Sequence, residues 1–184
     1  MCHAEILNFA KKVATENAMD ITGKRILEIG SRNVNGSVRP FFQLVNPSEY
    51  IGIDVTFGDL VDMVLDGCNA EEKFGKDSFD FVVTVETIEH VKEWKRFIQN
   101  IKHVLKPNGL LLLTGRSTGF PRHEEAEKYG DYWRFTKQQI GEVFSDFKII
   151  ELREDAQASG FLMLARKSEN FVEKEITVIP EPIP

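Results

Sequence analysis

The sequence predicts one open α/β domain with a seven-stranded, mostly parallel sheet, an antiparallel final strand pair and helices on both faces. Short apolar runs alternate with helical patterns along most of the 184 residues, which is typical of parallel strands joined by crossover helices. A turn with glycines at both ends follows the first of these runs. The last two runs follow each other without a helix, so we expect them to pair as antiparallel strands.

The composition is that of an ordinary globular protein, with 42% hydrophobic and 28% charged residues, and it excludes a disordered or fibrous chain. The net charge of -6 gives little electrostatic support for binding to long nucleic acid. The two cysteines, Cys2 and Cys68, have no metal-type spacing and form no disulfide framework, which favours a reducing, cytoplasmic location. No apolar run reaches the roughly 18 residues that a membrane-spanning helix needs.

The first helix is predicted within residues 1–22, because four apolar residues recur there at helical spacing with charges between them. These residues are Ile6, Phe9, Ala10 and Val13. Gly23 ends the pattern, and RILEIG follows as a short apolar run closed by a glycine, which suits a buried parallel strand. After the turn SRNVNGS, the segment VRPFFQLV predicts a short helix before the second strand, YIGIDV.

The middle of the chain continues the alternation of strands and helices. VDMVL predicts the third strand and FDFVVTVE the fourth. A long amphipathic helix follows between Val91 and Lys106, and the turn Pro107-Asn108-Gly109 stops it. The apolar residues on its inner face are Trp94, Phe97, Ile98, Ile101 and Leu105. The next run, LLLLTG, is the most apolar in the sequence and is expected to be a central strand.

The segment from Arg116 to Phe135 is rich in glycine, proline, charged and aromatic residues. It is longer than a simple connection needs, so we expect it to carry function. A helix from its N-cap Thr136 to Phe144 follows, and the strands FKIIEL and GFLMLAR complete the domain. Residues 168–184 shift to charge and proline, which predicts a C-terminal tail and not a second domain.

The residues that follow the strands point to a ligand, because open parallel sheets bind ligands at the carboxyl ends of strands where the strand order reverses. The turn from Gly30 to Gly36 lies at such an end. Arg32 stands where the dinucleotide fingerprint has its second glycine, so that fingerprint is not matched. Asp54 ends the second strand and can accept hydrogen bonds from both hydroxyls of a ribose. The other acids at strand ends are Glu28, Asp66 and Glu86, and the alternative for each is a solvated or capping residue.

The order of these motifs resembles the class I S-adenosylmethionine-dependent methyltransferases over residues 24–167. The resemblance rests on RILEIG, YIGIDV, FDFVVTVETIEHV, LKPNGLLLLT and the paired final strands. Two longer segments, EIGSRNVNGSVRPFF and GFPRHEEAEKYGDYWRFT, resemble small bacterial and archaeal proteins with a type 11 methyltransferase domain. The resemblance implies a Rossmann-like methyltransferase domain in residues 23–167 that uses S-adenosylmethionine and releases S-adenosylhomocysteine.

The family pattern also implies which residues surround the cofactor. Glu28 and Gly30 would contact its methionine part, Asp54 its ribose, and the turn at residues 66–68 its adenine. The implied cofactor-binding residues are Glu28, Gly30, Ser31, Gly36, Asp54, Asp66, Gly67, Cys68 and Val85. The loop departs from the family pattern, because the common second glycine is replaced within SRNVNG.

Methyl transfer requires a positioned acceptor, and it requires a base only where the acceptor loses a proton. The candidate bases are Glu86, His90 and His123. The candidate acceptor contacts, which would act by stacking and charge, are Arg116, Tyr132, Trp133 and Arg134. The alternative for the aromatic residues of this segment is that they pin it to the core. No metal is expected, since no cluster of histidines, cysteines and acids has ligand spacing.

Two other functions stay open at this point. An NAD(P)-dependent oxidoreductase would share the first strand, the loop and the ribose acid, but it would need the missing glycines and a further substrate domain. A non-catalytic methyltransferase-like protein would bind the cofactor or a partner only. The acidic charge balance and the lack of an inserted recognition domain favour a small-molecule acceptor over nucleic acid, with no membrane partner. Monomer and homodimer are both compatible with the sequence.

Overall fold

The computed structural model describes residues 3–123, 130–155 and 157–183. The sequence predictions that involve Cys2 and residues 124–129 of the long loop lie outside this description. Within it, the elements follow the predicted order, and the seven-stranded sheet confirms the predicted fold class.

The helices are α1 (Ala4–Glu16), α2 (Ala18–Ile21), α3 (Arg39–Gln43), α4 (Ala70–Phe74), α5 (Trp94–Val104) and α6 (Lys137–Val143). Short 3₁₀ turns cover Gly67–Asn69 and Ile88–His90. The strands are β1 (Arg25–Ile29), β2 (Glu49–Asp54), β3 (Met63–Val64), β4 (Phe79–Thr84), β5 (Leu105–Arg116), β6 (Trp133–Arg134), β7 (Phe147–Glu154), β8 (Gly160–Lys167) and β9 (Glu181–Pro182). Among the described helices, none is both long and apolar enough to cross a membrane.

The main sheet has the strand order β3-β2-β1-β4-β5-β8-β7. The first five of these strands are parallel, and β8 is antiparallel to both β5 and β7, which confirms the predicted final pair. Ile29 of β1 lies opposite Ile53 of β2 and Thr84 of β4, so the carboxyl ends of these strands are level. The strand order reverses between β1 and β4, and the segments that follow these strands meet at one edge there.

Alternate strand residues bury two separate faces of the sheet, as the period-two geometry of a strand requires. Ile26 and Phe81 belong to the apolar layer beneath α1 and α3, whereas Leu27 and Val82 belong to the layer beneath α5 and α6. The four apolar residues predicted for the inner face of the first helix are all buried. Each fully buried side chain of this size contributes about 1.5–3 kcal/mol, so these two layers hold the sheet in register.

The third strand, the long helix and β5 have other bounds than predicted, since the helix starts at Trp94 and β5 covers Leu105–Arg116. The third strand pairs only at Met63–Val64 and not over the whole of VDMVL. The long helix ends at Val104 instead of Lys106, because Leu105 already pairs with Phe79 of β4 as the first residue of β5. The Pro107-Asn108-Gly109 turn therefore forms an irregular segment near the start of β5. Asn108 has a φ of 64°, and the pairing of β5 with β4 shifts its register there.

The segment after residue 167 packs back on the domain. Phe171 contacts Phe147 with ring centroids 5.7 Å apart, and Val178 is buried. At its end, β9 pairs with β6 of the long loop. The predicted tail therefore contributes both apolar packing and backbone hydrogen bonds to the side of the domain that carries this loop.

A buried ion pair gives the first testable prediction. Lys102 Nζ donates to Asp146 Oδ2 at 2.7 Å and to the Val143 carbonyl at 2.9 Å, and both charged side chains are inaccessible to solvent at 0% and 1% exposure. We expect Asp146→Asn to lower the free energy of unfolding by about 3–5 kcal/mol, because the ammonium is left buried without its countercharge. The matched control is Glu49→Gln, which breaks the exposed pair with Arg25 and should cost less than about 1 kcal/mol. Urea unfolding measures both losses, and equal small losses would contradict the prediction.

Candidate functional site

The turn after β1 passes very close to the segment after β4. Gly30 has a φ of +79°, and a Cβ there would lie 2.1 Å from Thr87 Oγ1. Only glycine adopts this conformation without steric cost. The N–H groups of Gly30 and Ser31 both donate to the carbonyl of Ile53, at 2.9 and 3.0 Å. The turn is therefore tied to β2 and pressed against Thr87, where the strand order reverses.

An asparagine organises the rest of this loop. Asn33 Oδ1 accepts a hydrogen bond from the Gly36 N–H at 2.9 Å, and Asn33 Nδ2 donates to Asp59 Oδ2 at 2.9 Å. Asparagine side chains often shape turns in this way, so the loop holds a defined conformation without the usual second glycine. The Ser31 hydroxyl is buried, at 2% residue exposure, and it has no hydrogen-bond partner among the described residues. Such a hydroxyl is costly to bury, which is consistent with a ligand contact.

Asp54 ends β2 with a half-buried carboxylate. Its Oδ1 accepts a hydrogen bond from the Thr56 N–H at 2.9 Å, and its Oδ2 lies 3.4 Å from the Arg32 N–H. A carboxylate oxygen accepts more than one hydrogen bond, so both oxygens retain capacity for the hydroxyls of a ribose.

The predicted adenine-binding residues form a 3₁₀ turn beside the end of β1. Asp66 caps this turn, since its Oδ1 accepts a hydrogen bond from the Cys68 N–H at 2.8 Å. A Cβ at Gly67 would lie 2.6 Å from Ile29 Cγ2 and 2.7 Å from Phe97 Cε2. Burial raises the pKa of the Cys68 thiol to about 12, so the thiol is protonated at neutral pH and is not a nucleophile.

Glu28 is the penultimate residue of β1, and 4% of the residue is exposed. Its Oε2 accepts a hydrogen bond from the Tyr50 hydroxyl at 2.9 Å. Burial raises the pKa of Glu28 to about 7, although the Tyr50 hydroxyl and the Arg39 guanidinium favour the charged form. This carboxyl therefore changes its charge state near neutral pH, and a neighbouring cation would stabilise the carboxylate.

Glu86 follows β4 in a strained backbone conformation. Its φ of 51° is uncommon for a residue with a side chain and typically costs about 1–3 kcal/mol. Its Oε1 accepts a hydrogen bond from Thr114 Oγ1 at 3.2 Å, and its Oε2 pairs with the Arg116 guanidinium. Burial and the neighbouring Glu89 raise the pKa of Glu86 to about 7, while Arg116 opposes that shift. The end of β5 thus fixes the direction of this side chain.

Two of the predicted bases, His90 and His123, come together beside Glu89. The ring centroids are 4.7 Å apart, and ligand atoms from the three residues all lie within 4.8 Å of one another. His90 Nδ1 lies 2.6 Å from the Gly130 carbonyl, and His123 Nδ1 lies 2.9 Å from Asp131 Oδ2. Burial lowers the pKa of both histidines and raises the pKa of Glu89. The sequence has no metal-ligand spacing here, because His123 comes from a distant segment, and the spacing therefore did not indicate this cluster.

Arg134 holds the long loop from inside. Its guanidinium donates to both carboxylate oxygens of Asp131 and to the backbone carbonyls of Phe120, Pro121 and Trp133. Burial alone would raise the pKa of Asp131, but the hydrogen bonds from Arg134 and His123 hold it well below its usual range. A guanidinium has five N–H donors, and these five contacts use all of them. We therefore assign Arg134 to positioning the loop instead of the predicted acceptor contact.

The other predicted acceptor contacts differ in accessibility. Arg116 is buried, and its guanidinium carbon lies 4.2 Å from the centroid of the Phe120 ring. Trp133 Nε1 donates to the Val91 carbonyl at 3.1 Å, so this indole pins the loop to the segment before α5. Tyr132 is the most exposed of the four, at 36%. Its side chain is the one that solvent or a ligand can reach most directly.

The structure adds three residues to those singled out from the sequence. Glu89 stands directly before His90 and three residues after Glu86. A second acid next to a candidate base is the sequence feature that could have indicated it. Asp131 stands three residues before Arg134, which is a local sign of an ion pair. Thr114 reaches Glu86 only through the pairing of β4 with β5, and nothing local in the sequence indicates this.

Residues 3–165 match the family described as a methyltransferase domain. The chain belongs to this family. Its sheet order and antiparallel final strands are those of the class I S-adenosylmethionine-dependent methyltransferases, which confirms the resemblance and the Rossmann-like fold.

Solved structures of other methyltransferases share the fold of this methyltransferase-domain protein. The CurJ carbon methyltransferase superposes with a TM-score of 0.66 at 17% identity, over 90% of this chain and 55% of that chain. An S-adenosylmethionine-dependent methyltransferase from Mesorhizobium loti gives a TM-score of 0.63 at 15% identity, over 88% of this chain and 100% of that chain.

A curated relative is similar at the level of sequence. Phthiotriol/phenolphthiotriol dimycocerosates methyltransferase 1 from Mycobacterium ulcerans (strain Agy99) is 27% identical over 136 residues. The matched region covers 68% of this chain and 48% of that protein. The methyltransferase-domain chain therefore spans about half the length of this relative.

The close approach at Gly30 gives a second prediction. Gly30 and Gly23 have similar positive φ values, +79° and +71°, but a Cβ at Gly23 would meet nothing within 4 Å. An alanine should cost about 1–2 kcal/mol at either position through its backbone conformation, and Gly30→Ala should cost more because its methyl group meets Thr87. Urea unfolding measures the difference. Adding Thr87→Ala to Gly30→Ala should recover part of the extra loss, and a double variant with no recovery would contradict the steric explanation.

The buried Glu28 gives a third prediction, on pH dependence. The folded state binds this proton more tightly than the unfolded chain, so the contribution of Glu28 to stability falls as the pH rises from about 4.5 to about 7. We expect the free energy of unfolding of Glu28→Gln, relative to that of the wild type, to rise by about 3 kcal/mol between about pH 4.5 and pH 8. Urea unfolding without cofactor measures this gain. The exposed control Glu49→Gln should show no such trend, and a pH-independent difference for Glu28→Gln would contradict the prediction.

Proposed function

We propose that this protein transfers a methyl group from S-adenosylmethionine to a small-molecule acceptor. The observation that carries the proposal is the meeting of Glu28, the Gly30 turn and Asp54 at the level ends of β1 and β2. This edge lies where the strand order reverses, which is the ligand-binding position of open α/β sheets. Membership of the methyltransferase-domain family supports the same assignment.

The residues at this edge fit the cofactor chemically. The buried Glu28 carboxyl would hold the ammonium of the methionine part, near the Ser31 hydroxyl that has no partner among the described residues. Asp54 would accept the ribose hydroxyls, and the Asp66–Cys68 turn would border the adenine. The proposed cofactor-binding residues remain Glu28, Gly30, Ser31, Gly36, Asp54, Asp66, Gly67, Cys68 and Val85. The bound cofactor supplies a methyl group on an electrophilic sulfonium.

The protein's own work in this reaction is to position the acceptor and to exclude water. Val85 and Glu86 follow β4 and would flank the reacting centre. Glu86 pairs with Arg116, and the Phe120 ring stacks on the Arg116 guanidinium. Both charged side chains are therefore shielded from solvent. Where the acceptor loses a proton, Glu86, His90 and His123 are the proposed bases.

Two observations support a small acceptor. The net charge of -6 gives no electrostatic attraction for the phosphates of a long nucleic acid. The curated relative is named for phthiotriol and phenolphthiotriol dimycocerosates, and its likeness to this chain extends over 136 residues. Tyr132, the most exposed of the predicted contacts, is proposed to meet the acceptor, with Trp133 and Arg134 supporting its loop.

A methyltransferase-like protein that binds the cofactor without transferring the methyl group is the alternative. The departure of the SRNVNG loop from the glycine-rich pattern favours it, whereas the hydrogen bonds that Asn33 makes to Gly36 and Asp59 shape the loop without that glycine. Conversion of S-adenosylmethionine to S-adenosylhomocysteine in the presence of an acceptor library separates catalysis from binding alone.

Calorimetric titration with S-adenosylhomocysteine and with NADH tests the cofactor assignment. We expect S-adenosylhomocysteine to bind and NADH not to bind. Asp54→Ala should weaken S-adenosylhomocysteine binding about 10- to 100-fold, because a hydrogen bond to a charged group is worth about 1.5–3 kcal/mol. Asp20→Ala removes an aspartate from the far side of the molecule, where it pairs with Arg166, and should leave binding unchanged. Preference for NADH, or an equal loss in both variants, would overturn the assignment.

A further inference from the structure

Glu89, His90 and His123 form a cluster that the cofactor site does not use. One carboxylate oxygen and one nitrogen from each imidazole all lie within 4.8 Å of one another. Glu89 and His90 come from the 3₁₀ turn after β4, and His123 comes from the long loop. Two imidazoles and one carboxylate converge here from separate segments, which is the ligand set of many catalytic metal centres.

Each imidazole is fixed in the orientation that a metal ligand requires. The Gly130 carbonyl can only accept a hydrogen bond, so His90 Nδ1 carries the proton in their 2.6 Å contact. His123 Nδ1 lies 2.9 Å from Asp131 Oδ2, and two hydrogen bonds from Arg134 keep Asp131 in its charged form. Both rings are therefore held through Nδ1, which leaves the Nε2 lone pairs available. Such outer hydrogen bonds typically orient metal-binding histidines.

The Glu89 carboxylate supplies a second, independent observation. The residue is completely buried, and neither oxygen has a hydrogen-bond partner of normal geometry among the residues that the structure describes. Two guanidinium groups act on this carboxylate through their charge, but each forms its ion pair with another acid, Arg116 with Glu86 and Arg134 with Asp131. A buried carboxylate without a partner is costly, and buried charges are normally paired or bound to a metal. A cation at the cluster would supply the missing countercharge.

We propose that Glu89, His90 and His123 bind one divalent transition-metal ion through a carboxylate oxygen and the two Nε2 atoms. Nitrogen and carboxylate donors favour ions such as Zn²⁺, Mn²⁺, Fe²⁺ and Co²⁺ over Ca²⁺, which prefers six to eight oxygen ligands. Sequence spacing alone does not indicate the site, because His123 reaches it from a different segment of the chain.

The position of this metal site deepens the proposed function and, in this respect, rests on it. The site lies between the turn after β4 and the loop proposed to hold the acceptor. Three protein ligands leave coordination positions open, so the metal would coordinate an oxygen of the acceptor and make its hydroxyl proton easier to remove. His90 and His123 then act as ligands and not as general bases, and Glu86 remains as the base that would take the hydroxyl proton. The acceptor class that this arrangement selects is one with a hydroxyl group beside the methylated position or at it.

Metal binding is tested on the full chain without cofactor, so its outcome does not depend on methyl transfer. The protein is treated with a chelator, desalted, loaded with Zn²⁺ and desalted again, and its zinc content is measured by mass spectrometry. We expect the wild type to retain a single equivalent, and Glu89→Gln and His123→Ala to bind Zn²⁺ at least about tenfold more weakly, since even outer hydrogen-bonding partners of a metal site contribute 10- to 100-fold.

The matched control is His103→Ala. His103 also lies beside two glutamates, but Glu71 lies 2.5 Å from its Nδ1 and Glu173 lies 2.9 Å from its Nε2. The two carboxylates are on opposite sides of the ring, so their oxygens and one ring nitrogen do not converge on a single point. This variant should retain zinc like the wild type. Zinc retention that is unchanged in Glu89→Gln and His123→Ala, or that is lost equally in His103→Ala, would overturn the proposal.

A second measurement avoids any variant that fails to fold. Co²⁺ added to the metal-free wild type should give visible absorption bands, and proton NMR should show two exchangeable, paramagnetically shifted imidazole Nδ1–H signals, one from each histidine. Absence of both signals at saturating Co²⁺, or a spectrum identical to that of Co²⁺ in buffer, would show that these histidines do not bind the ion.

Discussion

The parallel register that places Ile29 opposite Ile53 and Thr84 determines where the side chains of the candidate site lie. A slip of one residue would turn each side chain of a strand to the other face of the sheet. Both faces here are apolar and covered by helices, so a slip would disrupt the packing of both layers and separate the buried Glu28 carboxyl from the Tyr50 hydroxyl. Packing on two faces thereby fixes the close approach of Gly30 to Thr87, on which the cofactor edge depends.

Three buried acids near this edge, Glu86, Glu89 and Asp131, differ in how their negative charge is compensated. Asp131 is held by a bidentate contact with Arg134, which is the best compensated arrangement for a buried carboxylate. Glu86 has Arg116 and Thr114. Glu89 lies near enough to Arg116 and Arg134 for their charges to favour its charged form, but among the described residues its oxygens have no hydrogen-bond partner of normal geometry. This graded compensation separates residues that shape the loop from the one whose environment calls for a ligand.

The fold was largely predictable because it depends on short-range patterns. Apolar spacing in Ile6 and its neighbours indicates α1, and the N-cap Thr136 marks the start of α6. Strand ends also indicate Glu28, Asp54 and Glu86 as neighbours, since topology brings those ends to one edge. Side-chain partners could not be predicted in this way. Whether Arg134 contacts the acceptor or holds the long loop depends on the Phe120 and Pro121 carbonyls, which come close to it only in the folded loop.

The long loop shows how distant segments determine one local geometry. Trp133 binds the Val91 carbonyl, the Tyr132 N–H binds the Glu89 carbonyl, and the Tyr132 carbonyl accepts a hydrogen bond from Ile183 near the end of the chain. The tail thus stabilises the part of the loop that contacts the turn containing Glu89 and His90. Residues held from several rigid elements keep a site more precisely than a loop alone would. The C-terminal segment therefore contributes to the arrangement of the cluster without lying in it, and the buried Val178 and the contact of Phe171 with Phe147 anchor this segment to the domain.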